Sequence, residues 1–311
     1  MRQALITLGL LPLLAACADF PGAGLGSSPP DASPSPEPRF EERDARSFES
    51  EQFFQRVEDG LVVRGLLRDD GGGPDAPFTS EMLARNFLDL AFSQEFSDVG
   101  GRMVQRPTDS ALHRWQEPVR LQIYAGPSVD ADRAASDRQE VARLALRLER
   151  ATSHPVNVVS RNGNFHVLLL NDQELRRSGA LLKGLIPGIS SAETDFVENM
   201  PRETYCVVFA SDPENKSVYS RAVAIIRAEL PDRLRASCIH EEIAQGLGLA
   251  NDSARARPSI FNDDDEYGRL TTHDELLLEM LYDRRIAPGM TKSEAAPTVR
   301  LIAETLTSPT T

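Results

Sequence analysis

Apolar residues recur at two periods along the chain, and the periods mark its elements. Leu83, Phe87 and Leu90 fall on one face at helical spacing, which predicts a helix from Thr79 or Ser80. Val119 to Tyr124 alternates apolar and polar through Leu121 and reads as a strand. Residues 131–150 place Val141, Leu144, Ala145 and Leu148 on one side of an amphipathic helix. Val156-Asn157-Val158-Val159 and Phe165 to Leu170 read as two strands, and the Asn162-Gly163 pair between them suits a hairpin. Tyr205 to Ala210 and Ala222 to Ile226 are further strands. A helix begins near Pro231, a residue suited to a first turn, and runs to Gly246 or Gly248. Another spans about His273 to Tyr282, opened by a Thr272-x-x-Glu275 capping box, and a last one about Glu294 to Leu306. Residues 40–75 carry scattered aromatics (Phe48, Phe53, Phe54) and end in a turn-rich break, Asp69-Asp70-Gly71-Gly72-Gly73-Pro74. The order of strand, helix, several strands and then helices predicts an α+β (mixed α/β) fold around one sheet, without internal repeats.

The first residues follow a different logic. Arg2 supplies a positive charge and Leu5 to Leu14 an apolar run too short to span a bilayer, so residues 1–16 read as a secretory signal. The run ends in Leu14-Ala15-Ala16-Cys17, which resembles the bacterial lipobox. That resemblance implies cleavage before Cys17 and acylation of its thiol and new amine. With Ala18 rather than Asp following, it also implies the periplasmic face of a Gram-negative outer membrane. Residues 18–38, rich in Pro, Ser and Gly, cannot bury a core and read as a disordered tether. The expected organisation is therefore a signal (1–16), a lipidated Cys and tether (17–38), an N-terminal extension with a helix packed on the main domain (39–117), and the main domain (118–311).

Composition excludes several classes. With 47 Asp+Glu against 34 Lys+Arg, the chain has no electrostatic reason to hold nucleic-acid phosphates. Five His and three Cys exclude zinc ribbons, zinc fingers and disulfide-dense scaffolds. In an oxidising compartment Cys206 and Cys238 are expected to form a disulfide, with two buried free thiols or a metal pair as alternatives.

The most informative stretch is Glu241-Glu242-Ile243-Ala244-Gln245-Gly246-Leu247-Gly248-Leu249-Ala250-Asn251-Asp252. Its frame resembles the metzincin zinc site, in which His-Glu-x-x-His lies on a helix and a Gly and a third ligand follow at three-residue steps. Positions i and i+4 share one helix face and can hold one ion, and the Glu beside the first ligand can act on bound water. The resemblance extends to Ser259-Ile260-Phe261-Asn262, where Phe261 takes the place of the Met-turn residue. It includes Leu270-Thr271-Thr272-His273-Asp274 and Leu281-Tyr282, which are similar to a matrixin run, with Asp274 bracing the turn at the helix start. All three ligand-equivalent positions differ: Glu241, Gln245 and Asn251 stand where His is needed. Glu242 keeps the general-base position. His240 does not restore the motif, since Ala244 lies four residues on. Together with the lipobox, Gly-Leu-Leu-Arg-Asp-Asp (65–70) and Pro-Ser-Ile-Phe-Asn-Asp (258–263), the pattern also resembles the bacterial domain-of-unknown-function family numbered 2927. These resemblances imply a zincin-like twisted sheet with a long helix, an active-site-type helix and C-terminal helices.

They also imply a degenerate metallopeptidase-like domain, lipid-anchored and periplasmic, that acts as a binding or scaffolding module for peptides, envelope proteins or peptidoglycan. The rival expectations are an atypical metal-dependent hydrolase with Glu242 as general base, and a purely structural envelope lipoprotein. No cofactor is expected; a bound metal belongs to the hydrolase alternative, because Glu, Gln and Asn are hard oxygen donors that suit zinc poorly. Asp263, Asp264, Asp265 and Glu266 fail as an EF-hand loop, with Tyr267 at the fifth position and no Glu at the twelfth. His166 reads as a structural strand residue, and His113 and His154 carry no signal.

Overall fold

The computed structural model describes residues 45–308, apart from Pro74 and Asp263. The expectations for the signal, Cys17 and the tether lie outside the described residues. Those that are described belong to one compact unit. The chain opens with α1 (Ala45–Val63) and α2 (Ser80–Leu90), followed by the strands β1 (Ser93–Asp98), β2 (Met103–Asp109), β3 (Arg114–Trp115) and β4 (Val119–Ala125). Next come the long helix α3 (Ala131–Thr152), strands β5 (Val156–Val158) and β6 (Phe165–Leu170), and three short helices, α4 (Asp172–Leu175), α5 (Gly179–Leu185) and α6 (Ser191–Glu198). Strands β7 (Cys206–Ser211), β8 (Val218–Tyr219) and β9 (Arg221–Arg227) precede α7 (Asp232–Gln245), α8 (Thr272–Tyr282) and α9 (Lys292–Thr307).

Five strands form the central sheet in the order β5-β4-β6-β9-β7, all parallel except β7, which runs antiparallel to β9 at one edge. Side chains of the inner strands alternate between two cores. Phe165, Val167 and Leu169 of β6, with Ala222, Ala224 and Ile226 of β9, face the core shared with α3, α7 and α8. Leu168, Leu170, Val223 and Ile225 face the other core, closed by Leu175, Leu182 and Val197 from the short helices. Burial on both faces explains why these strands read as continuous apolar runs. The larger core also takes Phe54 and Leu61 of α1, Leu83 and Phe87 of α2, and Val299 and Ile302 of α9.

The mixed α/β class, the helices at 80, 131 and 232 and the main strands match the expectations. Three details differ. The Asn162-Gly163 pair makes no hairpin, because β5 and β6 lie on opposite sides of β4 and both run parallel to it. Asn164 is bound instead to β4's entry, accepting from Arg120 N at 2.6 Å and donating to Pro118 O at 3.0 Å. The cap of α8 is Thr271 with Asp274 rather than Thr272 with Glu275, a shift of one residue fixed by the bonds Asp274 makes. Residues 45–63, of which only the aromatics stood out, form a full helix, with Glu58 accepting from Arg233 N and Leu234 N at the start of α7.

Candidate functional site

α7 carries Glu241, Glu242 and Gln245 and is buried on nearly every side. Arg235 of this helix forms a buried ion pair with Asp137 of α3 at 2.9 Å. Past its C-terminus the chain passes two close contacts. A Cβ at Gly246 would lie 2.4 Å from the Phe165 ring, and one at Gly248, where φ is +134°, would lie 2.3 Å from His113 O. Only glycine fits there. Trp115 stacks on Phe165 and donates to Gly246 O at 2.8 Å, fixing the turn that ends the helix.

The cysteines are paired: Cys206 on the edge strand β7 is joined to Cys238 in the middle of α7, with Cα atoms 5.9 Å apart. The bond holds the edge strand against the helix that carries the motif.

Between them opens a cleft of about 280 Å³, lined by Glu95, Glu203, Glu241, Glu242, Asp252 and Asp265, with Tyr205, Cys206, Gln245, Ile260, Asn262 and Tyr267. It shares Glu95, Phe96 and Gln245 with a groove of about 450 Å³ that continues past Val208, Phe209 and Ala210 of β7. The β1–β2 hairpin forms the opposite wall. Its register breaks between Gln94 and Phe96, at Glu95, whose N–H bonds to Ala250 O at 3.0 Å. A bulge of this kind re-aims a side chain, and here it brings Glu95 to the cleft.

The motif positions are not all brought together. The nearest Glu241 and Glu242 oxygens and Cys206 Sγ lie within 4.8 Å of one another. Cys206 is committed to the disulfide and offers no thiolate. Gln245 donates its amide to Asp252 Oδ1 at 2.8 Å. Asn251 is absent from the cleft wall, and its amide donates to Asp89 O at 3.1 Å and Asp252 O at 2.7 Å. A tetrahedral zinc ion needs four well-directed donors, preferably imidazole or thiolate. Of the three ligand-equivalent positions only Glu241 offers a carboxylate in the cleft, so these residues do not fit zinc.

Glu242 is 4 % exposed, and its Oε2 has no hydrogen-bond partner. Burial, with the Glu95 and Asp252 carboxylates nearby, pushes its carboxyl well above the usual range. The folded state therefore keeps a proton that the unfolded chain releases above about pH 4.3. Stability from this group is complete below that value and falls as pH rises toward the raised folded value. Glu242→Gln is expected to unfold at higher urea concentration than the parent at pH 8, with the gap closing at pH 5. Parallel pH profiles would contradict the assignment.

The histidines serve the scaffold. His240 Nδ1 accepts from Leu270 N at 3.3 Å, and Nε2 donates to Glu140 of α3 at 2.9 Å. That bond from His240, with Arg143 and Arg269 nearby, holds the Glu140 carboxyl down at about 2. His273 is fully buried on Asn86 and Phe78. Phe261 is buried in the main core, and Asp274 binds the turn before it. In the acidic loop, Glu266 is paired with Arg257 and Arg68 while Asp265 faces the cleft.

Sequence reasoning missed Glu95 as a cleft residue. The signal was the Gly100-Gly101 pair between two short polar runs, a hairpin mark.

Residues 80–301 match the family described as Protein of unknown function (DUF2927), and the chain belongs to that family. No curated protein and no solved structure matches the chain. Among the described residues, no helix is long and apolar enough to cross a membrane.

Proposed function

We propose that this is a lipid-anchored periplasmic binding module with a degenerate zincin-like domain, whose cleft docks an extended, basic protein segment along β7. The observation that carries this reading is the acid-lined groove that follows the outer edge of the last strand of the sheet. Arg227 N donates to Tyr205 O, one end of the β7–β9 ladder. By the antiparallel alternation Val207 and Phe209 bond to β9, while Cys206, Val208 and Ala210 turn their N–H and C=O groups toward the groove. An extended chain can add there as a further strand. Glu95, Glu193, Glu241 and Asp252 along the same path select positive side chains. The zincin-like reading is supported by the succession β4-α3-β5-β6-β7-β9-α7 and by the motif's place on a buried helix beneath an antiparallel edge strand. The lipid anchor rests on Leu14-Ala15-Ala16-Cys17.

Fluorescence anisotropy with an extended Lys/Arg-rich decapeptide and its Glu/Asp counterpart tests the docking. Only the basic peptide is expected to bind. Its affinity should fall at least about tenfold when salt is raised from roughly 50 to 300 mM. Ala210→Pro removes an outward N–H without touching the β9 ladder, so it should keep the fold and lose most binding. Equal binding of both peptides, or full binding by Ala210→Pro, would overturn the reading. Cleavage of the peptide, lost in Glu242→Gln, would replace it with a hydrolase. Cys17→Ser is expected to release the protein from the membrane fraction and abolish its labelling with palmitate.

A further inference from the structure

A strand that adds to β7 carries the sheet's alternation with it. Residues paired across a ladder point to the same face, and successive residues point to opposite faces. In β7 the two faces belong to different cores. Cys206, Val208 and Ala210 pack toward the larger one, which holds α7, while Val207 and Phe209 belong to the smaller one, closed by α5 and α6. An occupant of the groove therefore presents alternate side chains to two different walls, and the make-up of those walls selects its sequence.

On the α7 side the wall beside Cys206 is acidic. The nearest Glu241 and Glu242 oxygens lie within 4.8 Å of Cys206 Sγ, so they face the row of side chains to which Cys206 belongs. No Lys or Arg of the described residues lines either part of the groove. On the other side the wall is apolar. Phe96 of β1 and Met103 of β2 pack against the smaller core beyond the edge of β7, and the Phe96 ring lies 5.3 Å from that of Phe196. Both are half-buried, and with Phe209 they line the groove. Two of the carboxylates along this stretch are tied to backbone amides: Glu193 accepts from Ser190 N and Asp98 from Gly101 N, each at 2.7 Å. The smaller core thus continues past the last strand of the sheet as an apolar surface that an added strand would cover.

We propose that the segment docked on β7 is amphipathic at the period of a strand: a Lys or Arg opposite Cys206 faces Glu241 and Glu242, and apolar side chains at the alternate positions, opposite Val207 and Phe209, face Phe96 and Met103. The inference rests on the docking reading and narrows its partner class, from any basic extended chain to one in which basic and apolar residues alternate. The two walls divide the work. Charge complementarity on the α7 side steers and selects sign, and weakens in salt. Apolar contact on the hairpin side scales with the area covered and does not weaken in salt. A polycation satisfies only the first wall, and a segment with its apolar residues gathered at one end cannot place them along the second.

Fluorescence anisotropy on the full chain tests this with two labelled peptides of identical composition and charge. In one, Lys and Val alternate; in its isomer, all the Lys residues precede all the Val residues. The alternating peptide is expected to bind at least about fivefold more tightly, from the apolar area it covers. Raising the salt should weaken both peptides and leave their ratio unchanged. Met103→Gln should bring the two affinities together while staying folded by circular dichroism. Val99→Ser, on the same hairpin but outside the groove lining, should keep the parent's ratio. Glu241→Gln should weaken both peptides alike. Equal binding of the two isomers by the parent, or an undiminished ratio in Met103→Gln, would overturn the inference. If that equal binding is still lost in Ala210→Pro, docking on β7 stands without the alternation. Failure of both peptides to bind would overturn the docking reading and this inference with it.

Discussion

Reduction of the Cys206–Cys238 bond is expected to lower the unfolding free energy by about 3–4 kcal/mol. The pair closes a loop with a sequence separation of 32. In the chain-entropy model a loop of that size restrains the unfolded ensemble by about this amount. For a folded unit of this length that corresponds to a fall in melting temperature on the order of 10 °C. The Cys206→Ser/Cys238→Ser double variant should reproduce the loss, and reductant should then have no further effect on it. Urea denaturation of parent and variant, each with and without reductant, checks both statements. An unchanged midpoint on reduction would show that the crosslink contributes nothing. The bond also has a local consequence. It is the covalent tie between β7 and α7, the two walls that meet at the inner cleft, so basic-peptide affinity should fall along with stability. A change in global stability with cleft affinity intact would place the effect in the unfolded chain alone.

The central sheet and α7 show what could be read from the chain and what could not. β6, β9 and α7 announce themselves because burial dictates composition. A strand covered on both faces is apolar at most positions, as β6 and β9 are between His166 and Arg227, and a helix ending against Phe165 and His113 O must end in glycines at 246 and 248. The motif frame was therefore legible, including the helix that bears Glu241, Glu242 and Gln245. Its geometry as a site was not. Where Asn251 points is decided by a carbonyl on α2, Asp89 O, a partner remote in sequence. Glu95 arrives from a hairpin whose first strand, Ser-Gln-Glu-Phe-Ser-Asp, is mostly polar and only half-buried, so no periodic pattern marks it. The Asn-Gly pair misled for a related reason. It signals a local turn, but parallel pairing with β4 is a tertiary choice that sends β5 and β6 to opposite sides. Local bonds and burial leave a record in sequence, whereas the direction of a side chain set by a distant backbone atom leaves almost none.

Asp274→Ala is expected to cost about 3–5 kcal/mol, a loss as large as that of the disulfide. Asp274 is fully buried, and its carboxylate accepts from Ser259 Oγ at 2.5 Å, Ile260 N at 3.0 Å and Thr271 N at 2.9 Å. Its own N–H donates to Thr271 Oγ1 at 3.1 Å, so one residue both caps α8 and binds the 259–261 turn. Removing the carboxylate leaves three buried donors without acceptors, at about 1–3 kcal/mol each before relaxation. The substitutions should rank by how many acceptors they delete. Ser259→Ala removes two bonds, the one its hydroxyl donates to Asp274 and the one it accepts from Phe261 N at 3.1 Å, and should cost about 2 kcal/mol. Asp274→Asn keeps one acceptor oxygen but sets an NH₂ against a donor, and should fall between them. Urea unfolding of the three variants tests the order, and an Asp274→Asn protein as stable as the parent would sink it. The turn is also tied to the cleft, because Ile260 lines it and Phe261 packs in the core beneath. Loosening that turn should therefore weaken ligand binding in Asp274→Asn even where the protein remains folded, whereas a residue serving only the helix start would change stability and leave the cleft's affinity as it was.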